Sequence, residues 1–185
     1  MITSRKMLRE YLRADVMANK KPSFGMHIIP CWWKGWYNML YINYMRRCEY
    51  YRDARIGIIS KIIARFYKIR MRRLGNRILI QIPHNTFGKG LYIPHCGPII
   101  VNGSASFGDN CVVQSGVVIC EGVQGGNHLY FASGAKILRN VTLADDIIVG
   151  ANAVVSKSFL EPNVVVGGIP AKKISDNGFR NRTVV

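Results

Sequence analysis

From Val101 to Leu160 the hydrophobic pattern of the chain recurs every six residues. The first position of each hexad reads Val101, Phe107, Val113, Ile119, Gly125, Phe131, Ile137, Leu143, Val149 and Val155, so that nine of ten are bulky and apolar. The fifth position, from Ala105 and Cys111 through Val117, Val123 and Leu129 to Phe159, is again apolar and often small. Neither the 3.6-residue period of a helix nor the 2.0-residue period of an ordinary strand predicts this pattern. A fixed short repeat predicts a parallel β-helix in which each hexad forms one flat face. The bulky position fills the interior, and the small one tolerates the bend. Gly108-Asp109-Asn110, Asp145-Asp146 and Gly150-Ala151-Asn152 fall between them, where tight corners need Gly, Asn or Asp. With three faces per turn, Val101, Ile119, Ile137 and Val155 should stack in one column.

Ahead of the repeat, the spacing changes to that of helices. Residues 5–18 read as a short helix with Thr3 or Ser4 as N-cap. Lys20–Gly25 reads as a break. Pro30 opens a second helix to about Arg52, carrying Trp32, Trp33, Trp36, Tyr37, Leu40, Tyr41 and Tyr44 at three- and four-residue intervals. A third helix runs from Ile56 to Arg73, with Ile59, Ile62, Ile63, Phe66, Tyr67 and Ile69 as its apolar side. Gly75-Asn76 should end it, and β structure should begin at Ile78. The fold class is therefore mainly β, a β-helix preceded by an α-helical segment. The expected division is a basic helical part over 1–77, the β-helix over 78–175 and a tail over 176–185.

One irregularity interrupts the repeat. Phe87–Tyr92 is already a hexad and Ile93 begins the next, but the following interior position in register is Val101, eight residues on. Two extra residues must be accommodated around Pro94-His95-Cys96-Gly97-Pro98. Local inconsistency of this kind marks functional sites, which makes His95 the first candidate for chemistry.

Charge separates the two parts of the chain. The formal net charge is +16, and residues 1–80 carry 18 Lys and Arg against 4 Asp and Glu. A hydrophobic fraction of 49% excludes general disorder. Five cysteines without a CxxC pair argue against a disulfide framework and for a reducing compartment. The first residues lack the apolar core of a secretory signal. Apolar stretches in the leader are broken by Lys or Arg before the roughly 20 residues a spanning helix needs. A cytoplasmic protein is expected, with no metal constellation among its scattered histidines.

FGKGLYIPHCGPIIVNGSASFGDNCVVQSGVVI, ASGAKILRNVTLADDIIVGANAVVSK and VVVGGIPAKKI resemble the serine O-acetyltransferase family of hexapeptide-repeat acyltransferases. The likeness covers about residues 78–175 and is nearest to the subgroup found among capsule and exopolysaccharide proteins. It implies a left-handed β-helix forming a homotrimer, with acetyl-CoA lying in a groove between neighbouring prisms. It also leaves open whether two trimers pair through the helices. By this resemblance His95 is the general base that takes a proton from an acceptor hydroxyl attacking the thioester. Neutral imidazole suits that role because its ordinary pKa, about 6.5, lies near working pH. Ser133 and Ala151, with Gly134 and Gly150 beside them, match positions that touch the pantetheine arm. Lys172 or Lys173 falls near the CoA phosphates. Pro94 and Glu121 are candidates on the acceptor side.

The chain departs from the family pattern in three places. Ile80 stands where the family has the aspartate that orients its base, and Pro94 replaces the aspartate before the histidine. The loop that carries an Arg-His pair is missing, because Glu121–Asn127 continues nearly in register. A neutral acceptor, a sugar of a surface polysaccharide or its precursor, is favoured on that ground over serine. The alternatives are serine O-acetylation in cysteine biosynthesis and a catalytically silent scaffold. Three readings fit the basic, aromatic residues 30–77: helix packing with charges facing water, docking on an anionic membrane at the inner face of the plasma membrane, and, less favoured, nucleic acid.

Overall fold

The computed structural model describes residues 1–19, 36–54 and 57–180. The expected break at Lys20–Gly25, the helix start at Pro30, Trp32 and Trp33, and the helix start at Ile56 lie outside these residues. Three helices come first: α1 (Arg5–Asn19), α2 (Trp36–Asp53) and α3 (Gly57–Ile78). Short strands follow: β1 (Ile80–Gln81), β2 (Ile99–Val101), β3 (Ser106–Phe107), β4 (Val112–Val113), β5 (Val118–Ile119), β6 (Gln124–Gly125), β7 (Tyr130–Phe131), β8 (Lys136–Ile137), β9 (Thr142–Leu143), β10 (Ile148–Val149), β11 (Val154–Val155), β12 (Val165–Gly168) and β13 (Ala171–Ser175).

The strands stack into the three faces of a prism. One face has the order β1-β2-β5-β8-β11, the second β3-β6-β9 and the third β13-β12-β10-β7-β4. Every pairing is parallel except that of β12 with β13. Val101 pairs with Ile119, Ile119 with Ile137 and Ile137 with Val155, which is the column read from the repeat. Both apolar positions of the hexad point inward, and Cys111 is buried among them, where burial pushes its thiol up to about 12. Gly125 breaks the bulky series for a packing reason. A Cβ there would stand 2.5 Å from both the Phe107 ring and a Leu129 methyl. The Phe107 ring meets Phe87 at 4.6 Å and Phe131 at 5.4 Å, filling the axis from below and above.

The first coil is the irregular one. Phe87 bridges Phe107 and Tyr92 bridges Val112, twenty residues on, whereas partners between β2 and β11 are eighteen apart and the last coil tightens to seventeen at Ile148–Val165 and sixteen at Leu143–Phe159. Two extra residues are thus absorbed between Tyr92 and Ile99, where the repeat placed them.

Helix α1 starts at Ser4, whose Oγ accepts from the N–H of Met7 at 3.1 Å. The third helix departs from expectation at both its face and its end. It continues through Gly75-Asn76 to Ile78, and Leu79, at φ 60°, turns the chain out. Gly75 lies within the helix because the Tyr41 ring and the Ile80 carbonyl crowd it, the ring at 2.9 Å from where a Cβ would sit. The buried side of α3 is Ser60, Ala64, Met71, Gly75 and Ile78, of which Ser60, Ala64 and Gly75 are small enough to let α2 approach closely. Ile59, Ile62, Phe66 and Ile69, expected to pack, are exposed.

The helices share the apolar core of the first coils through Tyr41, Ile42, Met45 and Met71. The Tyr41 hydroxyl donates to the Ile82 carbonyl and accepts from the Ile82 N–H, both at 2.9 Å. Arg46, which the helix-packing reading would turn to water, is fully buried. Its guanidinium contacts Asp15 at 2.8 Å and Glu49 at 3.2 Å, and donates to the carbonyls of Phe87 (2.8 Å) and Gly88 (2.5 Å). Asp15 also accepts from the Leu91 N–H at 2.9 Å and Glu49 from the Asn85 N–H at 2.7 Å. A buried charge persists only when its lone pairs and protons are satisfied, and these bonds fasten α1 and α2 to the first coil.

Candidate active site

The two-residue excess forms a kink at the corner between the third and first faces, with His95 exposed at its tip. The chain enters the kink under the control of two asparagines. Asn19, at the end of α1, donates to the Leu91 carbonyl at 2.8 Å. Asn38, in the first turns of α2 and fully buried, donates through Nδ2 to the Ile93 carbonyl at 2.9 Å. The Cys96 thiol donates to Oδ1 of the same Asn38, also at 2.9 Å. The exit is fixed by the backbone: Gly97 N–H donates to the Ile78 carbonyl at 3.1 Å and Ile99 N–H to the Leu79 carbonyl at 2.9 Å. His95 therefore sits on a tethered bend.

Above the kink the same corner repeats every eighteen residues as Ser115-Gly116, Ser133-Gly134 and Ala151-Asn152. The N–H groups of Gly134 and Asn152 donate to the carbonyls of Ser115 and Ser133, at 3.0 and 2.9 Å. Small side chains are required here. A Cβ on Gly97 would lie 2.9 Å from that of Ser115, and one on Gly116, at φ +80°, would lie 3.0 Å from the Gly134 backbone. The result is a shallow trough of small residues along one edge of the prism, with Ser133 and Ala151 exposed and Gly134 and Gly150 half-buried.

Gly150 N–H donates to the Val166 carbonyl at 2.8 Å, so the trough reaches β12, whose Gly167 faces Lys172 across the hairpin. Four coil steps of about 4.8 Å separate the His95 coil from this end, roughly 19 Å in all. Of the two lysines, Lys173 contacts Glu161 at 2.7 Å and is paired with Asp176, partners that raise its pKa. Lys172 is exposed and has no carboxylate partner among the described residues. The structure thus brings His95, Pro94, Ser133, Gly134, Gly150, Ala151 and Lys172 to one edge.

Other candidates lie elsewhere. Glu121 occupies the corner between the first and second faces, where it pairs with Arg139 at 3.8 Å, and within one chain it does not meet His95. Ile80 points into the core, 1% exposed. Among the described residues, no carboxylate is bonded to the His95 ring. His128 belongs to a corner ladder in which its ring contacts Asn110 at 3.2 Å and Asp146 at 3.2 Å. His84 is half-buried, and burial lowers its pKa. Ser115 and Gly116 were not singled out in the sequence, although counting eighteen back from Ser133 and Gly134 finds them. The clamping asparagines carry no comparable signal.

No family model matches the chain. It is 30% identical over 136 residues to a serine acetyltransferase of Synechococcus elongatus, covering 69% of this chain and 53% of the relative. It is 31% identical over 145 residues to a serine acetyltransferase of Staphylococcus epidermidis, covering 67% and 66%. The chain spans about half the length of the first of these relatives. Among solved structures, a serine acetyltransferase of Brucella abortus in complex with coenzyme A superposes with a TM-score of 0.74 at 22% identity, covering 95% of this chain and 70% of that one. A serine O-acetyltransferase of Brucella melitensis gives 0.73 at 23% identity, covering 94% and 69%. The prism is accordingly a left-handed β-helix of the type these structures share. In sequence and in fold, the chain is a serine acetyltransferase-like hexapeptide-repeat protein.

Proposed function

We propose that the protein is an acetyl-CoA-dependent O-acetyltransferase. The observation that carries this reading is the shared edge. An exposed imidazole on a tethered kink shares this edge with a trough of small residues that ends at Lys172, which has no carboxylate partner among the described residues. An extended pantetheine arm laid in that trough would put its thioester beside His95 and its phosphates beside Lys172. His95 would take the proton of an acceptor hydroxyl as the oxygen attacks the thioester carbonyl. A backbone N–H would stabilise the resulting oxyanion. Collapse breaks the C–S bond, the acetyl ester leaves on the acceptor, and the His95 proton passes to the departing thiolate. A homotrimer that closes the trough with a neighbouring prism fits this reading, since the edge is open in a single chain.

L-serine is the first acceptor to consider, because the relatives bear that name and one Brucella protein of this fold is known with coenzyme A. The expected preference for a polysaccharide sugar gains no support from the relatives. One observation keeps it as a second reading: the pairings Ser106–Gln124–Thr142 and Phe107–Gly125–Leu143 run through the corner at Glu121 with no inserted loop. The wall that would carry a cationic holder for a serine carboxylate is therefore low. Release of free CoA should be measured with L-serine, nucleotide sugars and capsule oligosaccharides, beside His95→Ala. Turnover with any acceptor that disappears in His95→Ala is the expected result. Absence of turnover with all of them, or turnover that survives the substitution, overturns the reading.

A further inference from the structure

Helix α3 has two apolar faces, and only one of them is used. Ser60, Ala64, Met71, Gly75 and Ile78 lie against the rest of the protein. On the opposite side, at three- and four-residue intervals, stand Ile58 (77% exposed), Ile62 (63%), Phe66 (54%) and Ile69 (41%), with Ile59 (74%) beside them. At 100° per residue this row points directly away from the packed face. Cations border it: Lys61, Arg65, Lys68 and Arg72 on one flank, Arg70 and Arg77 on the other, and Arg73 at the end of the row, one turn beyond Ile69. The helix contains no Asp or Glu.

Arg70, Arg73 and Arg77 line a cleft of about 280 Å³ between α3 and α2, floored in part by Tyr44. Arg70 is held over it by a 3.3 Å hydrogen bond to the Tyr44 hydroxyl and by stacking on Phe66. No described helix is long and apolar enough to cross a membrane.

We infer that α3 is a docking helix for an anionic lipid bilayer, lying in the interface with Ile58, Ile62, Phe66 and Ile69 among the acyl chains and its two cationic flanks at headgroup level. An apolar row between rows of Lys and Arg is the pattern of helices that lie on membranes. Charge decides against the other occupants. A second copy of α3 would bring seven more cations against these seven with no carboxylate between them. Nucleic acid would satisfy the charge and leave five large apolar side chains in water. This inference does not rest on acetyl transfer and survives if that reading fails.

The test is sedimentation of the full chain with sucrose-loaded vesicles of phosphatidylcholine alone, or with about one third phosphatidylglycerol, at low and at near-physiological salt. The wild-type chain should sediment with the anionic vesicles and not the neutral ones, and less at the higher salt. Ile62→Glu with Phe66→Glu should weaken this about tenfold or more, with circular dichroism and thermal midpoint unchanged because both side chains are solvent-exposed. Three outcomes overturn the inference: no sedimentation with anionic vesicles at low salt, equal sedimentation of wild type and the double variant, or a double variant whose oligomeric mass by light scattering falls below that of the wild type. The last would identify the row as a contact between copies.

Discussion

Asn38 and Cys96 are joined by a hydrogen bond of 2.9 Å from the thiol to the amide oxygen, while the other end of the same amide holds Ile93 at 2.9 Å. One helical side chain therefore closes the bend on either side of His95. Asn38→Ala leaves the Ile93 carbonyl and the thiol without partners, at a cost of about 1–3 kcal/mol. The thermal midpoint should fall, and Cys96, which is exposed, should alkylate faster than in the wild type. Turnover should drop more than the KM for acetyl-CoA rises, because the trough is untouched. Unchanged Cys96 kinetics would show that the bend holds without the clamp.

Gly116 is a corner of the trough where backbone meets backbone. Gly116→Ala combines a left-handed backbone with a Cβ 3.0 Å from the Gly134 backbone. Strain of this kind costs about 1–3 kcal/mol, readable as a lower urea midpoint. If the trough receives acetyl-CoA, protection of the fold by CoA should weaken in the same variant.

Lys172 and Lys173 should behave differently. Lys173 is already held by Glu161 and Asp176. Lys172→Ala should raise the KM for acetyl-CoA about tenfold through loss of a charge-assisted contact, and Lys173→Ala should raise it by much less. The reverse order would place the phosphates on the other side of the hairpin.

Arg46→Leu strands two buried carboxylates and should destabilise the chain by about 3–5 kcal/mol. Replacing Asp15 and Glu49 by apolar residues as well should recover only part of this. Those carboxylates also accept from the Leu91 and Asn85 N–H groups, which would lose their partners. Denaturant melts of the single and triple variants measure both effects.

Burial raises the Glu49 carboxyl above its ordinary value, against the pull of Arg46. The folded chain thus holds this proton more tightly than the unfolded chain. The stability it adds is present below the ordinary carboxylate value and is lost as pH rises through the raised one. The difference in urea midpoint between wild type and Glu49→Gln should change between the ordinary carboxylate value and the raised one and be constant above both.

Much of this architecture is legible in the sequence, because a period of six places its own residues. Val101, Ile119, Ile137 and Val155 pair as counted, and the eight-residue gap before Val101 marks the bend that carries His95. Local punctuation misled at Gly75, where the glycine answers the Tyr41 ring and not a helix end, and Leu79 makes the turn instead. Apolar spacing misled on α3, since Ile62 and Phe66 have the right period but the contact with α2 selects the small residues Ser60 and Ala64. Asn38 and Arg46 were beyond reach for a different reason. Their partners lie roughly forty to sixty residues away, in a coil whose position relative to the helices no local pattern encodes.

The hairpin of β12 and β13 reverses the chain at the top of the stack. Every coil beneath it offers its upper rim as a template for an identical coil, and a bare rim would let molecules stack end on end into filaments. The returning strand runs the wrong way to continue a parallel winding and presents Lys172 and Lys173 outward, a recognised guard against edge-to-edge growth. Deleting β13 should therefore turn a discrete particle into one that lengthens with concentration.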